Sequence, residues 1–238
     1  MKKYSRGFGL VEIMVALVLG LVVSLGIIQI FSASRGTFIT QNASARMQED
    51  ARFVLSKMLQ ELRMTGMYGC LQFDAAQVGG AIPKPAALNN PILWDVTNQK
   101  LTLVTADVGT AGTAPTWTVI SDCQTTSQLY TGAKVPAAGQ TAFPLRQIVY
   151  TRSGTELRMQ VMTNAGLLPD PQPLLQNVKD FTVSFGMAGN PMYYTAAAIT
   201  NANSPDVRSV RLTLTLSDPN ARVRDQQFNA VAYLRNRF

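Results

Sequence analysis

Histidine is absent from this chain of 238 residues. That excludes nucleophile triads with an imidazole base and the commonest zinc sites. Cysteine is confined to Cys70 and Cys123, so no lipid-anchoring cysteine stands near the amino terminus. Charge is sparse, at 15% of residues, and none occurs between Glu12 and Arg35. No phosphate-cradling glycine loop, metal cluster or nucleophile elbow is present. Gly79-Gly80 lacks the strand, helix and downstream acid that a dinucleotide fingerprint requires. Internal repeats and low-complexity tracts are missing as well. The chain therefore offers no catalytic residue, cofactor site or metal site to sequence reading, and an expectation of a non-enzyme without cofactors follows.

What is present is concentrated at the amino terminus. The formal net charge of +7 includes Lys2, Lys3 and Arg6, and the excess on the rest is too mild to imply nucleic-acid binding by itself. Residues 13–34 form an uncharged run of 22, and about 20 suffice to cross a bilayer as a helix. The basic residues before it predict a cytoplasmic amino terminus and an exported body. Glu12 stands at the start of this run. A carboxylate in a membrane helix costs about 2.5–3.5 kcal/mol at the centre and less toward the interface, so something should compensate it. A cleaved secretory signal, with Ser32-Ala33-Ser34 as its exit site, would want a shorter apolar core. A plain uncleaved anchor leaves Glu12 unexplained.

The block Gly7-Phe8-Gly9-Leu10-Val11-Glu12 after a short basic stub resembles the processing site of type IV prepilins and pseudopilins. The resemblance implies that a prepilin peptidase cuts after Gly7 on the cytoplasmic side and methylates the amine of Phe8. It also implies that the Glu12 carboxylate meets the Phe8 amine of a neighbouring subunit during assembly. An ion pair in a low-dielectric environment is the compensation the carboxylate needs. One departure stands out: major pilins often carry a kinking proline late in this helix, where this chain has Gln29. Gly20 and Gly26 are the positions left to loosen it.

Residues 35–66 continue as an amphipathic helix. Met47, Ala51, Val54, Leu55, Met58, Leu59 and Leu62 recur at spacings of three and four and form one apolar stripe. Gln48, Glu49, Arg52, Ser56, Lys57, Gln60 and Arg63 occupy the other faces, and Phe53 lies off the stripe. The stripe is expected to pack on the protein's own head. Gly66 and Gly69 are expected to end the helix. An even pair of cysteines in an exported chain favours a Cys70–Cys123 disulfide over two buried thiols. The loop closed would span about 53 residues, which in the chain-entropy model gives about 4 kcal/mol.

Past Cys70 the pattern changes to period two. Strands are expected around Leu101–Val104, Thr116–Ile120, Phe181–Phe185 and Val210–Leu216, with a last one over 227–234. Ile148-Val149-Tyr150 and Leu157-Met159-Val161 flank Ser153-Gly154 as a hairpin. Long polar loops are expected at 79–91, 105–115, 131–144, 163–173 and 186–206. The fold class is α+β: a leader at 1–7, a membrane-spanning segment at 8–34, the amphipathic helix at 35–66, and an antiparallel β-sheet head at 67–238. Asp206, Asp218 and Asp225 read as turn caps and not as paired catalytic carboxylates. Arg208, Arg211, Arg222, Arg224, Arg235 and Arg237 read as a solvated sheet face and edge, with DNA, anionic lipid or an acidic partner as the other reading. Trp94, Trp117, Tyr193 and Tyr194 read as core or as loop platforms.

This layout, the stretch QEDARFVLSKMLQELRMTGMYGC (48–70) and the ending Leu234-Arg235-Asn236-Arg237 resemble the PilW-like minor pilins of type IV pili. The resemblance implies a pilin-like fold and a subunit that primes pilus assembly at the filament tip, serving twitching motility, adhesion and DNA uptake. It implies as partners the prepilin peptidase, other minor pilins, the major pilin, the inner-membrane assembly platform and a tip adhesin. It implies an inner-membrane protein with a periplasmic head that moves to the pilus at the cell surface. The J-type minor pseudopilin of a type II secretion system shares the layout. The alternative of another class is a membrane-anchored periplasmic enzyme or binding module.

Overall fold

The computed structural model describes residues 9–71, 82, 84–107, 114–163, 170–195 and 199–235, with the side chains of 190–195 left out. The chain divides into two units, Met1–Arg46 and Met47–Phe238. One α-helix, α1 (Leu10–Met64), supplies almost all of the described first unit and opens the second. It contains no proline, so no backbone donor is lost along its length. In the first unit the hydroxyls of Ser24, Thr37 and Thr40 donate to the carbonyls of Gly20, Ala33 and Gly36 at 2.8, 3.1 and 3.0 Å. These polar side chains are thereby satisfied within the helix itself.

Among the described residues, the second unit, the head, carries a four-residue helix, α2 (Ala86–Asn89), and eleven antiparallel strands in two sheets. The first sheet holds β1 (Ile92–Asp95), β2 (Lys100–Ala106), β3 (Trp117–Ser121), β4 (Ser127–Thr131), β5 (Thr141–Ser153), β6 (Glu156–Val161) and β7 (Gln172–Gln176). β5 organises it. Leu145 pairs with Ala106 on one side and Trp117 on the other, and Ile148 with Leu103 and Val161. One edge of β5 thus serves β2, and the other serves β3 and then β6. The second sheet runs β11 (Gln226–Tyr233), β10 (Val207–Leu216), β8 (Val178–Met187), β9 (Asn190–Thr195).

The main core joins both sheets to the second half of α1. Met47, Ala51, Val54, Leu55, Met58 and Leu62 pack with Ile92, Leu101, Leu103 and Tyr150 of the first sheet and with Phe181, Phe185, Val210, Leu212 and Leu214 of the second. The alternate face of the first sheet covers a smaller cluster of Leu88, Val104, Val119, Leu129 and Leu145. Period-two alternation makes this possible: Leu103 and Val104 are neighbours in sequence and belong to different cores.

A carboxylate lies buried against the main core. Glu61 is 1% exposed, and its carboxylate accepts Lys57 Nζ at 2.7 Å and the Tyr150 hydroxyl. Burial, reinforced by the charge and hydrogen bond of Glu61, holds the Tyr150 phenol well above its ordinary range. The phenol is therefore protonated, and a donor, at any physiological pH. A buried carboxylate is costly when alone and tolerable when fully hydrogen-bonded. Here helix and sheet must both be in place to satisfy it, which fixes how α1 sits on β5.

The helix ends at the glycines the sequence marks. The Gly66 amide donates to the Val104 carbonyl at 3.3 Å, and Gly66 adopts φ +78°. At Gly69, φ is +130° and a Cβ would stand 3.2 Å from Phe143 Cδ2, so no larger residue fits without displacing that ring. Cys70 follows and forms a disulfide with Cys123, at a Cα–Cα distance of 5.4 Å. Cys123 sits in the β3–β4 turn, which Asp122 organises by accepting the amides of Gln124, Thr125 and Thr126 at 2.9 Å each. Those backbone bonds keep the Asp122 carboxyl well below the usual carboxylate range.

Several elements depart from the sequence expectation. The head has two sheets where one was expected. The loops are shorter than composition suggests: α2 occupies part of 79–91, β5 begins at Thr141, β7 at Gln172, and β9 with a 3₁₀ turn (Ser204–Asp206) fills much of 186–206. Trp94 is a strand residue, 3% exposed, and meets Phe181 edge-on with centroids 5.8 Å apart. Trp117 opens β3. Tyr193 and Tyr194 lie in β9, with side chains outside the description.

Two outcomes follow for urea unfolding and peptide mapping of the detergent-solubilised chain. Lys57→Met leaves the buried carboxylate without a cation and should cost about 3 kcal/mol or more, whereas Tyr150→Phe should cost about 1–2 kcal/mol; the reverse order contradicts the buried ion pair. Non-reducing peptide maps should link Cys70 to Cys123, and Cys123→Ser should lower stability by up to about 4 kcal/mol.

Candidate functional site

Glu12 lies in the first turn of α1. Gly9 precedes the helix, and its carbonyl accepts the amides of Glu12 at 3.0 Å and Ile13 at 3.3 Å. Gly7 and Phe8 lie outside the described residues. A carboxylate in a first turn faces the unpaired amides and the positive end of the helix dipole, worth about 0.3–1 kcal/mol. That is too little to offset its transfer into a bilayer. Residues 13–34 span about 33 Å as a helix, against a hydrocarbon core of about 30 Å. Glu12 therefore sits at the edge of the spanning length, on the side of Lys2, Lys3 and Arg6.

The helix beyond it is apolar all the way round. Sixteen large hydrophobic side chains from Leu10 to Phe31 are each more than half exposed. A contiguous apolar surface of that extent needs an apolar environment, either lipid or other helices. Burying sixteen such side chains at about 1.5–3 kcal/mol each yields, as an upper bound, roughly 25–50 kcal/mol. Placing Glu12 near the same medium costs a tenth of that or less. Hydrophobic burial decides where the segment goes, and the carboxylate goes with it. By length and composition this helix can cross a membrane.

The described residues of the head have their main polar groups engaged with one another. Among the described residues, no cluster of three His, Cys, Asp or Glu side chains could hold a metal ion. A shallow depression of about 370 Å³ is lined by Leu93, Trp94, Asp95, Ile199, Thr200 and Asn201. Its carboxylate, Asp95, is occupied by the backbone amide and side-chain amide of Asn98 at 3.1 and 2.6 Å, which hold the carboxyl below its usual range. Asp218 caps a turn through the Arg222 amide at 2.8 Å and takes the Arg222 guanidinium in a fork at 2.9 and 2.8 Å. That fork lowers the Asp218 carboxyl and raises the guanidinium. Asp225 pairs with Lys179, and Arg208 donates to the Pro205 carbonyl at 2.8 Å. Asp218, Asp225, Arg208 and Arg222 are thus engaged inside the head. Arg237 lies outside the described residues.

Glu61 is a buried titratable residue that sequence reading does not single out, as is Arg146, which pairs with Asp107 at 2.9 Å. For Glu61 the signal was present: Met47, Ala51, Val54, Met58 and Glu61 follow one helical period, and a lysine stands four residues before the acid. Its role is in packing, far along the chain from the amino-terminal block.

No curated protein sequence matches the chain. Among solved structures it is similar to a type IV-like pilin from Thermus thermophilus, with 13% identity and a TM-score of 0.42 over 81% of this chain and 98% of that one. Residues 2–28, which include Gly7, Phe8, Glu12 and the first half of the apolar run, match the family model of the prokaryotic N-terminal methylation motif.

Proposed function

We propose that this chain is a prepilin-like structural subunit: a PilW-like minor pilin that is cut after Gly7, methylated at Phe8 and built into a type IV pilus. The observation that carries this reading is a carboxylate, Glu12, in the first turn of a helix whose next 22 residues are uncharged and whose apolar side chains stand exposed, inside the matched motif. Cutting after Gly7 removes Lys2, Lys3 and Arg6 and creates an amine at Phe8. A subunit packed alongside, shifted along the helix axis, presents that amine to Glu12 of its neighbour. The ion pair then forms away from water, where a charge pair is worth several-fold more than in solvent.

In this role the protein is a substrate of the prepilin peptidase and not an enzyme. It stands in the inner membrane with the head in the periplasm before it moves to the pilus. There it joins other minor pilins and the major pilin on the assembly platform, primes the filament and stays at its tip. Twitching motility, adhesion and DNA uptake are the activities served.

Glu12→Ala separates this from a helix used only as a tether. The variant should still insert and be processed, because the apolar run and Gly7-Phe8 are intact. Its recovery in sheared pili should fall at least about tenfold, the change that about 1.4 kcal/mol of lost pairing produces. Incorporation equal to the parent chain would sink the proposal.

A further inference from the structure

The sheet edges of the head are not alike. At β1 the outer edge is engaged: the Trp94 amide and carbonyl bond to Ile199 at 2.9 and 3.1 Å. β7 carries Pro173, β9 carries Pro191, and β4 is only five residues long. Those are the devices by which sheets avoid pairing with other chains. β11 has none of them. It is eight residues long, with no proline, no charged residue and no register shift against β10.

The phase of its backbone is fixed by the bond from the Leu234 amide to the Arg208 carbonyl, 2.9 Å. In an antiparallel ladder bonded pairs alternate, so Phe228, Ala230 and Ala232 turn their backbone groups to β10. Gln227, Asn229, Val231 and Tyr233 turn theirs outward. Among the described residues no backbone bond takes those outward groups. The side chains of the same four residues lie on the exposed face, with Tyr233 70% exposed.

This edge is complementary to itself. Laid antiparallel on a second copy with Ala230 at the centre, Asn229 faces the partner's Val231 and Gln227 faces the partner's Tyr233. Outward-turned residues meet outward-turned residues, so every amide finds a carbonyl. Just beyond the strand ends, Asp225, whose carboxylate also takes Lys179 and stays part-exposed, faces the partner's Arg235, and no like charges oppose each other. Shifting the centre to Asn229 or Val231 loses that charge match.

We propose that β11 is a docking strand for a second copy of this chain, added antiparallel about a two-fold axis at Ala230. The contact is isologous and closes on itself, so it makes a pair and not a polymer. The pair is a state of the protein separate from a place in a filament.

Cysteine cross-linking of the full chain in detergent micelles tests the register, with Cys70 and Cys123 held in their own disulfide. Paired residues of a bonded antiparallel site stand about 5.5 Å apart at Cα, within disulfide reach. Asn229→Cys mixed with Val231→Cys under mild oxidation should give a cross-linked dimer several-fold above either variant alone. Gln227→Cys mixed with Tyr233→Cys should do the same. Adding Val231→Pro to that second pair should abolish the product, while the melting midpoint moves by only a few degrees, because the Val231 amide is not part of the β10 ladder. No cross-link on mixing, an equal one from Asn229→Cys alone, or a link to a different protein in native membranes would overturn the proposal.

Discussion

The Glu12 carboxylate sets the terms for the amino-terminal unit. It stands in the first turn of a helix whose next charge is Arg35. Its cost is small beside the burial of sixteen apolar neighbours, so it is carried to the edge of the apolar phase whether or not a partner waits there. The first-turn position softens that cost through the helix dipole without cancelling it. What remains is a standing demand for a cation delivered from outside the helix. Processing at Gly7 would create one, the amine of Phe8, four residues away on every copy of the chain.

The head is built under a second, independent demand. Glu61 is buried, and among the described residues Lys57 on the same helix and Tyr150 on β5 satisfy it. The stripe from Met47 to Leu62 supplies the burial, and the polar triad supplies the register. Six residues past the helix end, the Cys70–Cys123 bridge ties the exit to the β3–β4 turn. Two constraints of different chemistry thus hold the helix to the sheets near its end.

The features legible in the sequence were those set by local pattern. The stripe at three- and four-residue spacing, the glycines that end the helix, the hairpin at Ser153-Gly154 and the alternation in Val210–Leu216 each carry their own period. β1, β4 and β7 were not legible. They are four or five residues long; β1 follows Pro91, β7 lies between Pro171 and Asn177, and β4 runs into Gly132, and each exists because another strand lies beside it. Trp94 is core because β1 pairs with β2, a fact that no window around Trp94 contains. Glu61 was legible in principle, but a charged residue at a core position reads as a surface residue until its partner, 89 positions away, is known. The amino-terminal motif was legible because it is linear: Gly7, Phe8 and Glu12 lie within six residues of one another, inside the stretch that matches the family model.

If this linear block is processed, a mass spectrum of the amino-terminal peptide from the detergent-solubilised protein shows a chain that begins at Phe8 and carries one added methyl group on its amine. A chain that begins at Met1, or one cut after Ser34, would contradict that processing.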